Sequence, residues 1–195
     1  HAGIDTLRSK SLDCNSYDSG DWFNRIDWSY RDNGYAAGLP PQGDNGGNWS
    51  VMGPLLANAE VKPTETETRW TRDAFRDLMK IRASSRLFRL RTADEIKQRL
   101  TFRNTGSAQV APVLAAHLDG NGYQGAGFRE VLYFVNVDRI GQTLTIPEEA
   151  GKQYRLHPVH TAYDAADRRA AAATYDSTSG RFNVPPRTAV VFVVR

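Results

Sequence analysis

From Arg99 onward the sequence is a series of short apolar runs separated by turn-forming residues, and this feature restricts the fold more than any other. The runs are β-branched or aromatic, and Gly, Asn, Asp and Pro punctuate them. Closely spaced strands of this kind are typical of an antiparallel sandwich. Residues 165–173, which are rich in alanine, fit a helical turn as well as a strand. The predicted strands are 100–104, 113–118, 130–136, 142–146, 153–158, 171–175 and 188–194.

The first 63 residues differ in composition and lack a clear period. They are rich in Asn, Asp, Gly, Ser, Tyr and Trp, which indicates a long ordered loop held in place by its aromatic side chains. Residues 38–49 are dense in turn formers and predict an exposed excursion. These residues contain too few regular elements to enclose a core, and the sequence begins at His1 with no signal-peptide pattern. We therefore expect part of a larger domain, either processed or embedded in a longer protein.

Two capping boxes predict helices between these regions. Thr64 with Glu67 opens a helix over 64–85, and Thr92 with Glu95 opens a short one reaching about residue 98. Apolar side chains in the first helix recur in steps of three and four, so they form one stripe opposite the charged residues. A helix of this kind is expected to lie against something large. The stripe comprises Trp70, Ala74, Phe75, Leu78, Met79 and Ile81.

Composition excludes several protein classes. The chain has 195 residues, 40% of them hydrophobic and 24% charged, with a net charge of +3. A chain of this make-up forms its own core, so collagen, low-complexity disorder and a disulfide scaffold are excluded. No stretch approaches the ~20 apolar residues that cross a bilayer, so we expect no membrane span. The single cysteine, Cys14, cannot form an internal disulfide.

Sequence motifs for metal sites and for common catalytic sites are weak. His157 and His160 are three residues apart, but a zinc site needs three or four ligands and no further Cys or His clusters nearby. We interpret the pair as structural and expect no metal ligands in this chain. There is no G-x-S-x-G elbow and no phosphate-binding loop, and a nucleophilic role for Cys14 is not favoured.

Residues 69–103 carry eleven basic side chains against four acidic ones. Such a stripe is compatible with phosphate contacts, and a nucleic-acid-binding domain is one hypothesis for it. Aromatic residues are not interleaved on that face, so we favour a solvated helix face and expect no nucleic-acid partner.

The segment most informative about function is 16–28, SYDSGDWFNRIDW. Carboxylates, planar donors and aromatic faces together suit sugar binding, because hydroxyls bond to Asp and Arg while pyranose C–H faces lie on Trp or Phe. Asp21 and Arg25 are four apart and would project to one side of a helical turn, beside Trp22 and Phe23. A salt-bridged loop with buried aromatics explains the same residues equally well.

Several motifs resemble the carboxyl-terminal part of pullulanase-type starch-debranching enzymes, and most closely the limit dextrinases of the α-amylase clan. The most specific are LRSKS at 7–11 and SYDSGDWFNR at 16–25, followed by Asp27-Trp28. Weaker matches include FRNTG at 102–106, LHPV at 156–159 and GRFNVP at 180–185. The resemblance covers nearly the whole chain.

The resemblance implies a fold and a division of the chain. Residues 1–91 would be the C-terminal edge of a (β/α)8 barrel: the end of strand eight at 1–6, a long loop at 7–63 and the last helix at 64–85. Residues 92–195 would form an all-β antiparallel sandwich. Loops at this face of a barrel build active sites. The family motif places substrate contacts at Asp21 and Arg25, with Trp22 and Phe23 packing or stacking near them.

The resemblance also implies hydrolysis of α-1,6 branch points in pullulan, amylopectin and limit dextrins by the full-length enzyme. A retaining mechanism needs two carboxylates ~5–5.5 Å apart, and in this clan they lie on earlier barrel strands. Residues 74–79 resemble the nucleophile motif but lack one residue, and Asp77 is expected to face solvent, so it is rejected. No catalytic residue and no cofactor are expected here; calcium would belong to the preceding part.

The expected partners are therefore an α-glucan and the preceding part of the barrel, and the expected compartments are a plastid or the bacterial exterior or periplasm. The alternative is a stand-alone, non-catalytic α-glucan-binding module.

Overall fold

The computed structural model describes residues 1–195, which form two compact units, His1–Arg76 and Asp77–Arg195. The division at 91/92 inferred from the sequence remains a prediction. The helix Glu65–Ser84 belongs to the first unit up to Arg76 and to the second from Asp77. The model contains no helix that combines the length and apolar character needed to traverse a bilayer.

The first unit consists of short helices joined by irregular chain. Its α-helices are α1 (Asp21–Asn24), α2 (Gln42–Asn45), α3 (Trp49–Ala57) and the first part of α4 (Glu65–Ser84); 3-10 turns occur at Ile4–Thr6, Ser16–Asp18, Gly46–Asn48 and Ala59–Val61. The sequence did not predict α3, because Gly53 and Pro54 lie inside it. The strand end expected at 1–6 is wrong for this structure: left-handed backbone at Gly3 and Leu7 brackets a 3-10 turn there.

The excursion expected at 38–49 is exposed over most of its length, but Pro40 and Asn45 are buried. Asn45 is 1% exposed and acts as a buried clamp. Its side-chain amide donates to Asp13 Oδ1 (3.0 Å) and to the Pro41 carbonyl (2.9 Å), and its Oδ1 accepts from the Cys14 backbone N–H (3.2 Å). One asparagine therefore ties this segment to residues 13–14. Hydrophobicity alone does not reveal such a role for a polar residue.

Both predicted capping boxes are present. Glu67 Oε2 accepts from the Thr64 backbone N–H at 2.7 Å and Thr64 Oγ1 accepts from the Glu67 N–H at 3.3 Å. The same reciprocal pair joins Thr92 and Glu95 at the start of α5 (Ala93–Arg99). Most of the apolar stripe of α4 is uncovered in this chain. The exposed members are Trp70, Phe75, Leu78 and Met79, whereas Ile81 is buried.

The second unit contains two antiparallel sheets, as expected from the strand pattern. The five-stranded sheet has the order β1-β2-β3-β8-β5 and the three-stranded sheet the order β4-β7-β6. A short helix, α6 (Pro158–Thr161), and a 3-10 turn at Arg168–Ala172 connect strands. The strands are β1 (Leu100–Phe102), β2 (Val113–Asp119), β3 (Glu130–Asn136), β4 (Gln142–Thr145), β5 (Arg155–Leu156), β6 (Thr174–Asp176), β7 (Arg181–Val184) and β8 (Thr188–Val194).

The two sheets share one core. Phe134 and Phe192 from the larger sheet meet Phe182 from the smaller one, with ring centroids 4.9 and 5.3 Å from it. Strand β7, which carries Phe182, is the one strand that the sequence analysis missed, because Arg181 and Asn183 interrupt so short a run. It is the central strand of the smaller sheet.

The other face of the five-stranded sheet is half covered. Leu118 and Val131 are buried beneath the segment that follows α4, whereas Phe102 and Leu114 are exposed at the opposite end. Between these regions lies an apolar groove of about 530 Å³. Its lining includes Leu78, Phe88, Ile96, Tyr133, Val135 and Val191.

Candidate functional site

The loop at 16–28 is rigidly organised around side-chain-to-backbone hydrogen bonds. Gly20, at φ +74°, starts α1, and the Asn24 amide closes the turn by donating to the carbonyls of Ser16 (2.7 Å) and Gly20 (3.0 Å). Arg25 follows as the C-cap, its N–H bonded to the Asp21 carbonyl at 2.9 Å. Asp21 and Arg25 therefore belong to one helical turn, within a segment that the sequence predicted only as loop.

The structure brings Arg25 to Trp22 and Asp32. Its guanidinium lies 4.5 Å from the centre of the Trp22 ring, and its Nη2 is 3.3 Å from Asp32 Oδ2. The Trp22 indole N–H donates to the Ala37 carbonyl at 2.9 Å, which fixes the ring although it is 56% exposed. Asp21 is exposed and its carboxylate makes neither a hydrogen bond nor an ion pair, so both oxygens are free to accept. Phe23 is half-buried.

Asp27 holds the end of the loop. It accepts from the backbone N–H groups of Ser29 (2.8 Å), Asp32 (2.9 Å) and Arg31 (3.1 Å), and from the Ser29 hydroxyl (2.8 Å). These bonds favour the charged form, and those from Ser29 are the largest contribution, so the pKa of Asp27 falls to about 2. Next to it, Trp28 is two-thirds exposed on a fixed turn. In the sequence both residues belong to the motif that carries the resemblance, but no role was assigned to either of them.

Strained backbone conformations are concentrated in the first unit, His1–Arg76. Of the six non-glycine residues with positive φ in the chain, five lie within the first 36 residues. Such conformations cost free energy and persist where surrounding structure enforces them, often at ligand sites. Because none of the five is a glycine, no sequence signal marks them. They are Leu7, Ser11, Leu12, Tyr30 and Ala36.

Five of the eleven basic side chains of the stripe at 69–103 form ion pairs within the chain. Arg69 pairs with Glu65 at 2.6 Å, Arg72 with Asp73 at 2.8 Å and Arg103 with Glu149 at 2.7 Å. Arg69 and Arg72 also lie over the Tyr30 ring, at 5.0 and 4.8 Å. These contacts compensate part of the charge that phosphate binding would need.

Asp77 does not face solvent, so that expectation was wrong. Its side chain is 14% exposed, pairs with Lys80 at 2.9 Å and accepts from the Ala166 backbone N–H at 2.8 Å. Burial raises its pKa, but the bonds from Ala166 and Lys80 outweigh it and leave the pKa below its usual value. The carboxylate is engaged as a structural anchor within the second unit.

Both members of the histidine pair are buried and hydrogen-bonded. Nδ1 of His157 accepts from the Val159 N–H (3.2 Å), so Nε2–H is assigned as donor to the Ser84 hydroxyl (2.9 Å). His160 Nε2 accepts from the Val191 N–H at 3.0 Å. These bonds occupy both nitrogens of His157 and Nε2 of His160, the atoms a metal would use.

One cluster brings metal-ligand types together. Ligand atoms of His117, Glu130 and Glu149 all lie within 4.8 Å of one another, a juxtaposition that the sequence did not predict. The Lys152 ammonium bridges the two carboxylates, 2.5 Å from Glu130 Oε2 and 2.6 Å from Glu149 Oε2. The Tyr154 hydroxyl donates to Glu149 Oε2 at 2.7 Å and lies 3.0 Å from Glu130 Oε2. Lys152 and Arg103, which pairs with Glu149 at 2.7 Å, therefore already balance these two charges, and Glu149 is inaccessible at 0% exposure. The arrangement is a buried ion network.

Comparison with known proteins identifies relatives of the whole chain. The family described as α-1,6-glucosidases, pullulanase-type, C-terminal, matches residues 30–195. Pullulanase 1, chloroplastic, of Arabidopsis thaliana is 39% identical over 99% of this chain and 20% of its own length. A pullulanase of Klebsiella pneumoniae is 36% identical over 80% of this chain and 14% of its own. The chain thus spans about a fifth or less of these relatives.

Solved structures agree. PulA from Klebsiella oxytoca matches 98% of this chain and 18% of its own with a TM-score of 0.85 at 30% identity. A maltotriose complex of PulA from Klebsiella pneumoniae matches 98% of this chain and 20% of its own with a TM-score of 0.86 at 31% identity. The two antiparallel sheets, the preceding helices and the sequence matches lead to one assignment: the chain belongs to the C-terminal family of pullulanase-type α-1,6-glucosidases.

Proposed function

We propose that this chain supplies substrate-loop contacts and a stabilising β-sandwich to a pullulanase-type enzyme that hydrolyses α-1,6 linkages in pullulan, amylopectin and limit dextrins. The observation that carries the proposal is the match of 98% of the chain to about a fifth of a pullulanase crystallised with maltotriose. Residues 1–91 would be the edge of the catalytic (β/α)8 barrel, and residues 92–195 its sandwich.

The proposed sugar contacts are Asp21, Arg25, Trp22 and Phe23. The Asp21 carboxylate has both oxygens free for sugar hydroxyls, while Arg25 is already positioned by Asp32. The Trp22 ring is held by its indole N–H, and Arg25 covers one face, so the other is left for a pyranose. Phe23, half-buried, would support α1 from beneath. A rigid loop limits the entropy lost on binding.

The proposed partner, besides the glucan, is the preceding part of the barrel. The exposed stripe of α4 supports this, because Trp70 and Phe75 remain 43% and 40% exposed although a helix with such a stripe is built to be covered. In the second unit, the groove beside Leu78 and the exposed sheet residues Phe102 and Leu114 form a further apolar surface. Packing of the barrel on these surfaces would stabilise both parts.

We further propose that the chain alone is inactive and needs no cofactor. The carboxylates of the buried ion network, Glu130 and Glu149, are tied to Lys152, and Glu149 is fully buried. The clan's catalytic carboxylates, and any calcium, would lie in the preceding part. Nucleic acid is not a proposed partner. Plastid and bacterial exterior or periplasm are the proposed compartments, which fractionation of source cells would decide.

Calorimetric titration with maltotriose tests the loop. Weak saturable binding should be lost in Asp21→Ala, whose carboxylate is free, and retained in Asp18→Ala, which removes another exposed carboxylate from the same loop. Equal affinity for the Asp21→Ala variant would refute the assignment of Asp21. Release of reducing ends from pullulan by the purified chain would refute its inactivity.

The alternative, a stand-alone glucan-binding module, draws support from the internal scaffolding of the loop by Asp27 and Asn45. An antibody against this chain, used on source extract, separates the two. A band much larger than 21.7 kDa supports the enzyme, and a band near 21.7 kDa supports the module.

A further inference from the structure

The second unit contains a cleft lined by three arginines. Arg139, Arg169, Arg187 and Pro186 line a space of about 420 Å³. All three arginines are exposed. Like charges that line one cleft repel one another, and an anion bound there lowers that repulsion.

Two of the three arginines form no ion pair. Arg169 pairs with Asp167 through two bonds of 2.7 and 2.8 Å, whereas Arg139 and Arg187 have no ion pair. The nearby carboxylate of Asp138 forms no ion pair with them; it accepts from the Arg139 backbone N–H (2.6 Å) and the Gln142 amide (2.7 Å). Arg139 and Arg187 therefore line the cleft without a paired carboxylate.

A buried amide holds the two loops that carry Arg139 and Arg187. Asn136, 1% exposed, donates to the Ile140 carbonyl (3.0 Å) on one loop and to the Pro185 (3.0 Å) and Val184 (3.3 Å) carbonyls on the other. The Asp138 backbone N–H donates to Asn136 Oδ1 at 2.9 Å. The spacing of the two loops is therefore fixed before any ligand arrives.

The third arginine, Arg169, is also held in position by its own segment of the chain. Asp167 caps the Arg168–Ala172 turn by accepting from the Arg169 backbone N–H at 3.1 Å, and it holds the Arg169 guanidinium through the bonds described above. Ala170, in the same turn, is fully buried in the sandwich core. Arg169 is thus anchored in both backbone and side chain.

Arg187 is also strained. Its φ is +47°, in the left-handed region, and its backbone N–H donates to the Asp138 carbonyl at 2.9 Å. Glycine adopts this conformation without the Cβ penalty that an arginine pays. The fold therefore keeps a cation where glycine would be more stable, a pattern found at functional sites.

We propose that this cleft binds a phosphate group, as a free phosphate ion or as the monoester of a sugar. A tetrahedral dianion balances most of the excess charge and accepts several guanidinium bonds at once, which a carboxylate monoanion does less well. The cleft is of a size typical of small-molecule sites, so a phosphate would leave room for an attached pyranose. This site is independent of the proposed glucan loop.

Titration of the full 195-residue chain with inorganic phosphate and with glucose 6-phosphate at pH 7.5, followed by calorimetry, tests the proposal. We expect at least one of the two to bind with a Kd at or below about 1 mM, with glucose as an inert control. Tighter binding of glucose 6-phosphate would identify a sugar monoester as the ligand, and tighter binding of inorganic phosphate the free ion. Absence of saturable binding by both overturns the proposal.

Two variants locate the binding. Arg139→Gln should raise the Kd about tenfold or more, since it removes a charge-assisted bond. Arg187→Gly should do the same while leaving the melting temperature unchanged or higher, because glycine relieves the left-handed strain. A loss of binding without a loss of stability separates this role from a structural one.

Arg155→Gln is the matched control, because it removes the same charge from an exposed position on β5. Its Kd should stay within about twofold of the parent. If it weakens binding as much as Arg139→Gln does, general charge attraction explains the result and the site is refuted. Unchanged affinity of Arg139→Gln and Arg187→Gly refutes it as well.

Discussion

Replacement of Lys152 by methionine tests whether the buried ion network stabilises the sandwich. Methionine keeps the length and apolar stem of lysine but removes the ammonium that contacts Glu130 at 2.5 Å and Glu149 at 2.6 Å. Those side chains are 17% and 0% exposed, and Lys152 is 27% exposed. Breaking a buried ion pair costs ~3–5 kcal/mol. Lys152 is partly exposed and Arg103 still pairs with Glu149 in the variant, so we expect a loss at the lower end, about 3 kcal/mol.

Amide hydrogen exchange is the suitable assay. All four tryptophans (Trp22, Trp28, Trp49 and Trp70) lie in the first unit, so their fluorescence does not monitor the sandwich. Exchange of the slowest amides in β3 and β8 reports the free energy of opening for the second unit. Lys97→Met is the control, since Lys97 is exposed and unpaired, and we expect a change within about 0.5 kcal/mol.

The pH dependence adds a second criterion. Burial raises the pKa of Glu130 and of Glu149, but hydrogen bonds from Lys152 outweigh it and leave both below the usual value. A lowered folded-state pKa means that the unfolded chain binds more protons in acid, so this stabilisation is complete above the unfolded pKa of 4.5 and is lost as pH falls through the folded values. The difference in the free energy of opening between the parent chain and Lys152→Met should therefore shrink as the pH falls below 4.5. If the free energies of opening of Lys152→Met and Lys97→Met differ by less than about 1 kcal/mol at pH 7, the reasoning is refuted.

Further expectations concern caps, clamps, histidine and the exposed stripe. Thr92→Ala should lower stability by about 1 kcal/mol in chemical denaturation, because it deletes the N-cap oxygen of α5, and Thr92→Ser should restore most of it. Asn45→Ala should cost about 1–3 kcal/mol, seen as an earlier tryptophan-fluorescence transition of the first unit, since it leaves buried polar groups unpaired. Burial lowers the pKa of His157 from 6.5 to about 4, so the sandwich should lose up to roughly 3 kcal/mol of stability as the pH falls from 6.5 to 4. His157→Gln should flatten this pH dependence of stability. An unchanged slope would contradict the assignment of the loss to His157. Phe75→Glu should reduce light scattering by the concentrated chain, whereas Arg76→Glu, on the same helix, should not.

The sequence by itself determined the features whose physics is local. A capping box needs only two residues three apart, so the starts of α4 and α5 were predicted at Thr64 and Thr92. Strands 130–136 and 188–194 were predicted with the bounds observed, because a run of β-branched and aromatic residues between turn formers has few alternatives.

Tertiary structure alone decided which distant residues meet. Strand β7 exists because β4 and β6 pair with its two edges, although Arg181 and Asn183 weaken its own signal. Asp77 is a structural anchor because the Ala166 N–H, 89 residues later, requires an acceptor. The convergence of Arg139, Arg169 and Arg187 and the burial of Glu149 arise in the same way. Contacts of this kind depend on chain closure over long separations, which short-range patterns do not encode.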